Sequence, residues 1–214
     1  MTHTLNITMI GTGYVGLVSG ACFAEMGWNV TCMDVDAEKI RKLDEQGEIP
    51  IYEPGLKEVV DRNVAAGRLH FTTDLSSCVP HSDMVFIGVG TPQDEDGSAD
   101  MKYVLAAAQN IAPHLKDFTV VVNKSTVPVG TGELVKAAIA KNATVEFDVV
   151  SNPEFLREGS AVNDFLNAER IVLGIRDEES LNTLLEVYRT YPSKKLPMNI
   201  ASAELAKYAC NCAL

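Results

Sequence analysis

Ile7-Thr8-Met9-Ile10-Gly11-Thr12-Gly13-Tyr14-Val15-Gly16, followed by a second apolar run that ends at Asp34, decides how this chain reads. It spells a buried strand, a glycine turn, a helix and a second strand closed by a carboxylate, which is the layout that binds a dinucleotide. Gly11 suits the tight turn, Gly13 lets the backbone approach a pyrophosphate, and Gly16 lets the helix pack closely on the strand. Together with Thr12, Tyr14 and Val15 these glycines are the candidate cofactor loop, because a helix N-terminus offers phosphate unpaired N–H groups and a partial positive charge. Asp34 lies eighteen residues past Gly16. A carboxylate there can accept hydrogen bonds from adenosine ribose hydroxyls and would repel a 2′-phosphate, so the expected cofactor is NAD rather than NADP. A glycine motif alone is weak; here the flanking strand, the helix and the terminal acid all agree.

At 214 residues the chain can hold one large domain, or one domain and the start of another. A net charge of −11 argues against a general nucleic-acid or anionic-membrane surface. It leaves room for an anionic cofactor, since a local nest of N–H groups binds phosphate inside an acidic protein. The first residues carry no basic region and their apolar run is broken at Gly11 and Gly13, so no secretory leader is expected. No run approaches the eighteen apolar residues of a membrane span. The five cysteines, Cys22, Cys32, Cys78, Cys210 and Cys212, lack metal-ligand spacing and suit reduced thiols in the cytoplasm; no metal is expected.

Apolar runs alternate with helical stretches along nearly the whole chain. Strands are expected over 5–10, 30–34, 84–89, 119–123, 147–151, 170–174 and 195–198, and helices at about 14–26, 37–45, 56–66, 101–114, 132–141, 178–188 and 201–214. Strands this rich in Val and Ile are buried on both faces, which implies a doubly wound, mostly parallel α/β sheet of Rossmann type with helices on both faces. The expected division is a cofactor-binding domain over residues 1–200 and the start of a connecting helix over 201–214. That last helix stops without a C-cap signal, which suggests a chain that continues.

In open parallel sheets ligands sit beyond the carboxyl ends of the strands. Three consecutive strands there feed Gly88-Val89-Gly90-Thr91-Pro92, Lys124-Ser125-Thr126-Val127-Pro128-Val129-Gly130 and Asn152-Pro153-Glu154-Phe155-Leu156-Arg157-Glu158 into one crevice. Thr91 and Thr126 can offer hydroxyls to a nicotinamide, a ribose or a water, or can simply end strands before proline. Glu154 and Glu158 are four apart and would share a face if their segment were helical, although a solvated turn explains them equally. Lys207 and Asn211 are also four apart, with Glu204 three before Lys207. Either an exposed Glu–Lys helix face or a lysine and an amide aimed into the crevice satisfies that spacing.

These strings, with Ile51-Tyr52-Glu53-Pro54-Gly55-Leu56 and Glu204-Leu205-Ala206-Lys207-Tyr208, make the chain resemble the nucleotide-sugar 6-dehydrogenases along almost its full length, with the UDP-glucose branch the nearest. The resemblance implies oxidation of a sugar carbon-6 alcohol to a carboxylate with two NAD, through a thiohemiacetal and a thioester on a cysteine. It implies that Thr126 and Glu154 position and activate water, that Glu158 lies beside the nicotinamide, and that Lys207 and Asn211 stabilise an oxyanion at carbon 6. Phe155, Leu156 and Arg157 fall in the same substrate-binding string, and Lys39 takes a family position near the adenosine ribose. The family's nucleophile sits in a Gly-Phe-Gly-Gly-x-Cys-Phe-Pro-Lys-Asp string that is absent here, as is the second nucleotide-binding domain. The chain should therefore bind NAD without completing the oxidation, and the complete enzyme should be a homodimer or higher oligomer acting on a UDP-sugar. GDP-mannose and UDP-N-acetylmannosamine dehydrogenases share most of these strings. A non-catalytic dinucleotide-binding module and a hydroxyacid or 6-phosphogluconate-type dehydrogenase are the readings from outside the family.

Overall fold

The structure, a computed structural model, describes residues 4–95 and 97–213. Residues 1–3 and Leu214, which the expected domain bounds include, lie outside the described residues. The elements are β1 (Asn6–Ile10), α1 (Tyr14–Glu25), β2 (Asn29–Met33), α2 (Ala37–Gln46), α3 (Leu56–Ala65), β3 (Leu69–Thr72), α4 (Leu75–Cys78) and β4 (Met84–Ile87). They continue with α5 (Lys102–Ile111), β5 (Thr119–Asn123), α6 (Thr131–Ala140), β6 (Phe147–Ser151), α7 (Ala161–Leu166), β7 (Arg170–Ile175), α8 (Glu178–Val187), β8 (Lys194–Asn199) and α9 (Ile200–Ala213).

Among the described residues eight strands join one sheet in the order β3-β2-β1-β4-β5-β6-β7-β8. It is parallel from β3 to β6; β7 meets β6 antiparallel through Ser151 and Gly174, and β8 runs parallel to β7. Successive strand side chains point to opposite faces. Met84 and Phe86 accordingly enter one apolar core with Met9, Val120, Val122 and Val150, while Val85 and Ile87 enter a second with Ile10, Val121 and Val149. Both faces are thus filled, which is why these strands read as unbroken apolar runs.

The chain order reverses on either side of β1, which pairs with both β2 and β4. Crossovers leave that point in opposite directions, so a crevice opens between the carboxyl ends of β1 and β4. Three elements went unread in the sequence, β3, α4 and α7. β3 alternates buried Leu69 and Phe71 with exposed His70 and half-buried Thr72 over only four residues at the sheet edge. The segment that follows β6 is not helical, so Glu154 and Glu158 do not share a helix face.

Candidate functional site

The glycine turn lies in that crevice. Gly11 has φ +98°, and a Cβ there would come within 2.9 Å of the Gly88 carbonyl oxygen. A Cβ on Gly16 would fall 1.9 Å from the Gly11 carbonyl oxygen, so no larger residue fits. At Gly13 an added Cβ meets nothing within 4 Å, and Gly13 caps α1 without any side-chain hydrogen bond. The first N–H groups of α1 thus lack both an intrahelical partner and a side-chain cap beside an open cleft, which suits a phosphate. A cleft of about 620 Å³ adjoins this turn, lined by Gly11, Gly13, Asp34, Lys39, Gly90 and Tyr103 among others. Val35 stands beside it, 84% exposed, offering an apolar surface.

Asp34 closes β2 as the sequence indicates, but its carboxylate is already engaged. Its Oδ2 accepts from the Thr12 N–H at 2.8 Å, the Thr12 hydroxyl at 2.7 Å and Lys39 Nζ at 3.0 Å, while Oδ1 accepts from the Asp36 N–H at 3.1 Å. Burial opposes its charge, yet these bonds outweigh the penalty and hold the carboxyl below the usual carboxylate range. A carboxylate has about four lone-pair sites. A ribose hydroxyl must therefore use Oδ1 or displace Lys39.

The turns after β4 and β5 are stitched together. The Thr91 hydroxyl donates to the Thr126 carbonyl at 2.9 Å and the Ser125 hydroxyl to the Val89 carbonyl at 2.7 Å. Thr91 thus spends its proton on shaping the Thr126 turn, and both threonines remain half-buried. α9 is clamped onto the same turn: Glu204 accepts from the Gly130 and Gly132 N–H groups, each at 2.7 Å, and caps α6 with both oxygens. One helical turn on, Lys207 Nζ meets Glu154 Oε1 at 2.9 Å, with both side chains under a tenth exposed. The Glu204–Lys207 spacing therefore does not mark an exposed helix face. Lys207 Nζ also lies 5.5 Å from the centre of the Phe155 ring.

The other sequence candidates are placed less centrally. Arg157 turns to Asp164, 2.7 Å away. Leu156 is half-buried, and its N–H donates to Glu154 Oε2 at 2.5 Å. Glu158 is exposed but close enough to Tyr14 for its charge to act on that hydroxyl. Asn211, one turn beyond Lys207, is exposed.

Lys124 is a residue the sequence reading left without a role. It is 3% exposed, donates to Asn152 Oδ1 at 3.1 Å and lines a small cavity of about 50 Å³ with Glu154 and Phe155. Burial pushes its ammonium down to about 8; the Glu154 carboxylate opposes that shift and the Lys207 charge adds to it. Asn152 is fixed in turn by the Tyr188 hydroxyl at 2.5 Å and by its own bond to the Val172 carbonyl at 2.9 Å. Cys22, Cys32 and Cys78 are buried, and desolvation raises each thiol, Cys32 to about 12. Because the thiolate is the nucleophile, these three are inert at neutral pH. Among the described residues no group of His, Cys, Asp and Glu could hold a metal ion, and no helix is long and apolar enough to cross a membrane.

A sequence model described as the NAD binding domain of the UDP-glucose/GDP-mannose dehydrogenase family matches residues 5–192. UDP-glucose 6-dehydrogenase TuaD of Bacillus subtilis (strain 168) is 51% identical over 207 residues, covering 96% of this chain and 45% of that protein. The solved structure of a UDP-glucose dehydrogenase from Pyrobaculum islandicum matches with a TM-score of 0.94 at 45% identity, covering 98% of this chain and 49% of that one. A GDP-mannose dehydrogenase from Pseudomonas aeruginosa matches with a TM-score of 0.91 at 35% identity, over 98% of this chain and 50% of that one. The chain spans about half the length of these relatives. Its glycine turn, its terminal acid and the matched span together make it a member of the UDP-glucose/GDP-mannose dehydrogenase family, as the NAD-binding domain.

Proposed function

We propose that this chain supplies the NAD site and half of the active site of a nucleotide-sugar 6-dehydrogenase, with UDP-glucose as the substrate oxidised to UDP-glucuronate. The observation that carries this reading is the buried Glu154–Lys207 pair, 2.9 Å apart. A pure dinucleotide binder has no evident use for it, and taking two charges out of water is costly even when they pair, so the pair is weakly accounted for by stability alone. NAD held on the glycine turn would supply the hydride acceptor for carbon 6. Lys207 keeps a positive charge where oxygen at that carbon turns negative, and Asn211 adds an amide donor from the same helix face. Glu154 stands at hydrogen-bond range of Lys207 and, with the Thr126 hydroxyl, orients and deprotonates water. Phe155, Leu156 and Arg157 would line the sugar's approach, and Glu158 would lie on the nicotinamide side.

Residues 1–200 form the cofactor domain in this reading, and 201–214 open the helix that leads on from it. The complete enzyme pairs at least as a dimer in the cytoplasm, a setting that suits five free cysteines. The 51% identity to a UDP-glucose enzyme, against 35% to a GDP-mannose one, favours UDP-glucose. The decisive experiment replaces the matching segment of TuaD with this chain and follows NADH formation. Oxidation of UDP-glucose, with GDP-mannose inert, is expected; a folded, NAD-binding chimera without turnover would contradict it. Sustained NADH production from UDP-glucose by the 214-residue chain alone would overturn the half-site reading.

A further inference from the structure

Glu53 is a buried carboxylate, 6% exposed, in the loop between α2 and α3, and it takes no part in the chemistry above. Burying such a charge is costly unless donors surround it. Here the donors are neutral and come from distant parts of the chain. Glu53 Oε2 accepts from the Tyr14 hydroxyl at 2.7 Å and the Gly159 N–H at 2.8 Å, and Oε1 from the Ala161 N–H at 2.8 Å. Tyr14 is the first residue of α1, inside the glycine turn; Gly159 and Ala161 close the loop that carries Glu154 and Glu158. The Tyr14 oxygen also lies 3.1 Å from the Arg157 carbonyl, so the hydroxyl is wedged between Glu53 and that loop.

We propose that Glu53 is a positioning residue that locks the 154–161 loop to the glycine turn through Tyr14, so that NAD seated on the turn and the carboxylates of the loop hold one mutual geometry. The inference rests on the reading of the 154–158 loop as half of an active site. Three features support it. Glu53 reaches 106 and 108 residues along the chain to Gly159 and Ala161, which no local turn requires. Ser160, the residue that caps α7, makes no side-chain cap bond of its own, so Glu53 supplies what the local sequence lacks. Glu154 and Glu158 both act electrostatically on the Tyr14 hydroxyl, which places the loop's acids beside the turn. The competing explanation, a remote cap for α7 and nothing more, needs Gly159 and Ala161 but not Tyr14.

The test uses the 214-residue chain with Glu53→Gln and Tyr14→Phe, read by NAD titration calorimetry and by hydrogen exchange at residues 157–161. Glu53→Gln keeps the shape but turns an amide NH2 toward N–H donors. It should weaken NAD binding at least fivefold and speed exchange at Gly159 and Ala161 at least tenfold. Tyr14→Phe leaves both backbone bonds to Glu53 in place, yet should also speed exchange across 157–161, and NAD should slow that exchange in the wild type. Unchanged 157–161 exchange in Tyr14→Phe, or unchanged NAD affinity in Glu53→Gln, would overturn the proposal in favour of simple helix capping. Should Glu53→Gln not fold, the Tyr14→Phe exchange decides alone. A wild-type chain that fails to bind NAD would remove the proposed function, while the Tyr14→Phe exchange would still decide whether Glu53 locks the loop.

Discussion

Lys124 stands between the end of β5 and the segment that carries Glu154, and its energetics are those of a charge taken out of water. Desolvation disfavours an ammonium, and a second ammonium at Lys207 disfavours it further. We predict that the Lys124 amine, followed by lysine-selective NMR, titrates near 8, while exposed lysines titrate at about 10.4; a midpoint above 10 would contradict its placement. The burial of Lys124 was not legible in the sequence, because Lys124-Ser125-Thr126 gives no sign that its first residue faces inward. Glu53 escaped for a related reason: its partners are the Tyr14 hydroxyl and two backbone N–H groups more than a hundred residues away. The glycines behave differently, since their chemistry is local. Gly16→Ala forces a Cβ to 1.9 Å from a carbonyl oxygen of the turn. That variant should lose NAD binding at least a hundredfold, and one that retains wild-type affinity would show that the turn is built otherwise.

At the level of elements, α6 and α9 depend on one another. Glu204 holds two N–H groups at the start of α6, and a Cβ on Gly132 would lie 2.7 Å from Ile200 Cγ2. Hydrogen bonds to a charged group contribute about 1.5–3 kcal/mol each, so Glu204→Ala should cost roughly 3 kcal/mol. At about 2–4 °C per kcal/mol in a chain of this size, Tm should fall by roughly 6–12 °C. A fall under 1 °C would show that α6 finds its donors other partners. Element identity itself was largely legible: β5 and β6 occupy the expected residues, since Val-rich runs buried on both faces leave little choice. β3 was missed because an edge strand needs only one apolar face, and Leu69 and Phe71 are too few to show a period. α7 was missed because six residues capped by a remote carboxylate carry no local start signal.

For the whole molecule, the depressed carboxyls set how stability responds to acid. Asp34 and Glu53 are both held below the usual range, burial opposing and hydrogen bonds prevailing. In the unfolded chain these groups bind protons near pH 4, whereas in the fold they resist until lower pH, so the unfolded state holds more protons in between. Their contribution is complete above about pH 5 and is lost as the pH falls through 4 and below. Urea unfolding at pH 7, 5, 4 and 3 should give equal stabilities at the first two and a steep decline at the last two; a flat profile down to pH 3 would contradict it. The doubly wound sheet then explains why so much chemistry converges: the turns after β1, β4, β5 and β6 all leave the same edge of one rigid sheet. The sequence showed those turns as glycine, threonine and proline strings, but the spacing in α9 left open whether Lys207 faces solvent or the crevice, because its contact with Glu154 spans 53 residues. Most direct of all is a calorimetric titration of this chain with NAD and with NADP. Saturable NAD binding, with NADP at least tenfold weaker because of Asp34, is the expected result. No NAD binding by the folded chain, or NADP bound as tightly, would contradict the assignment of the crevice.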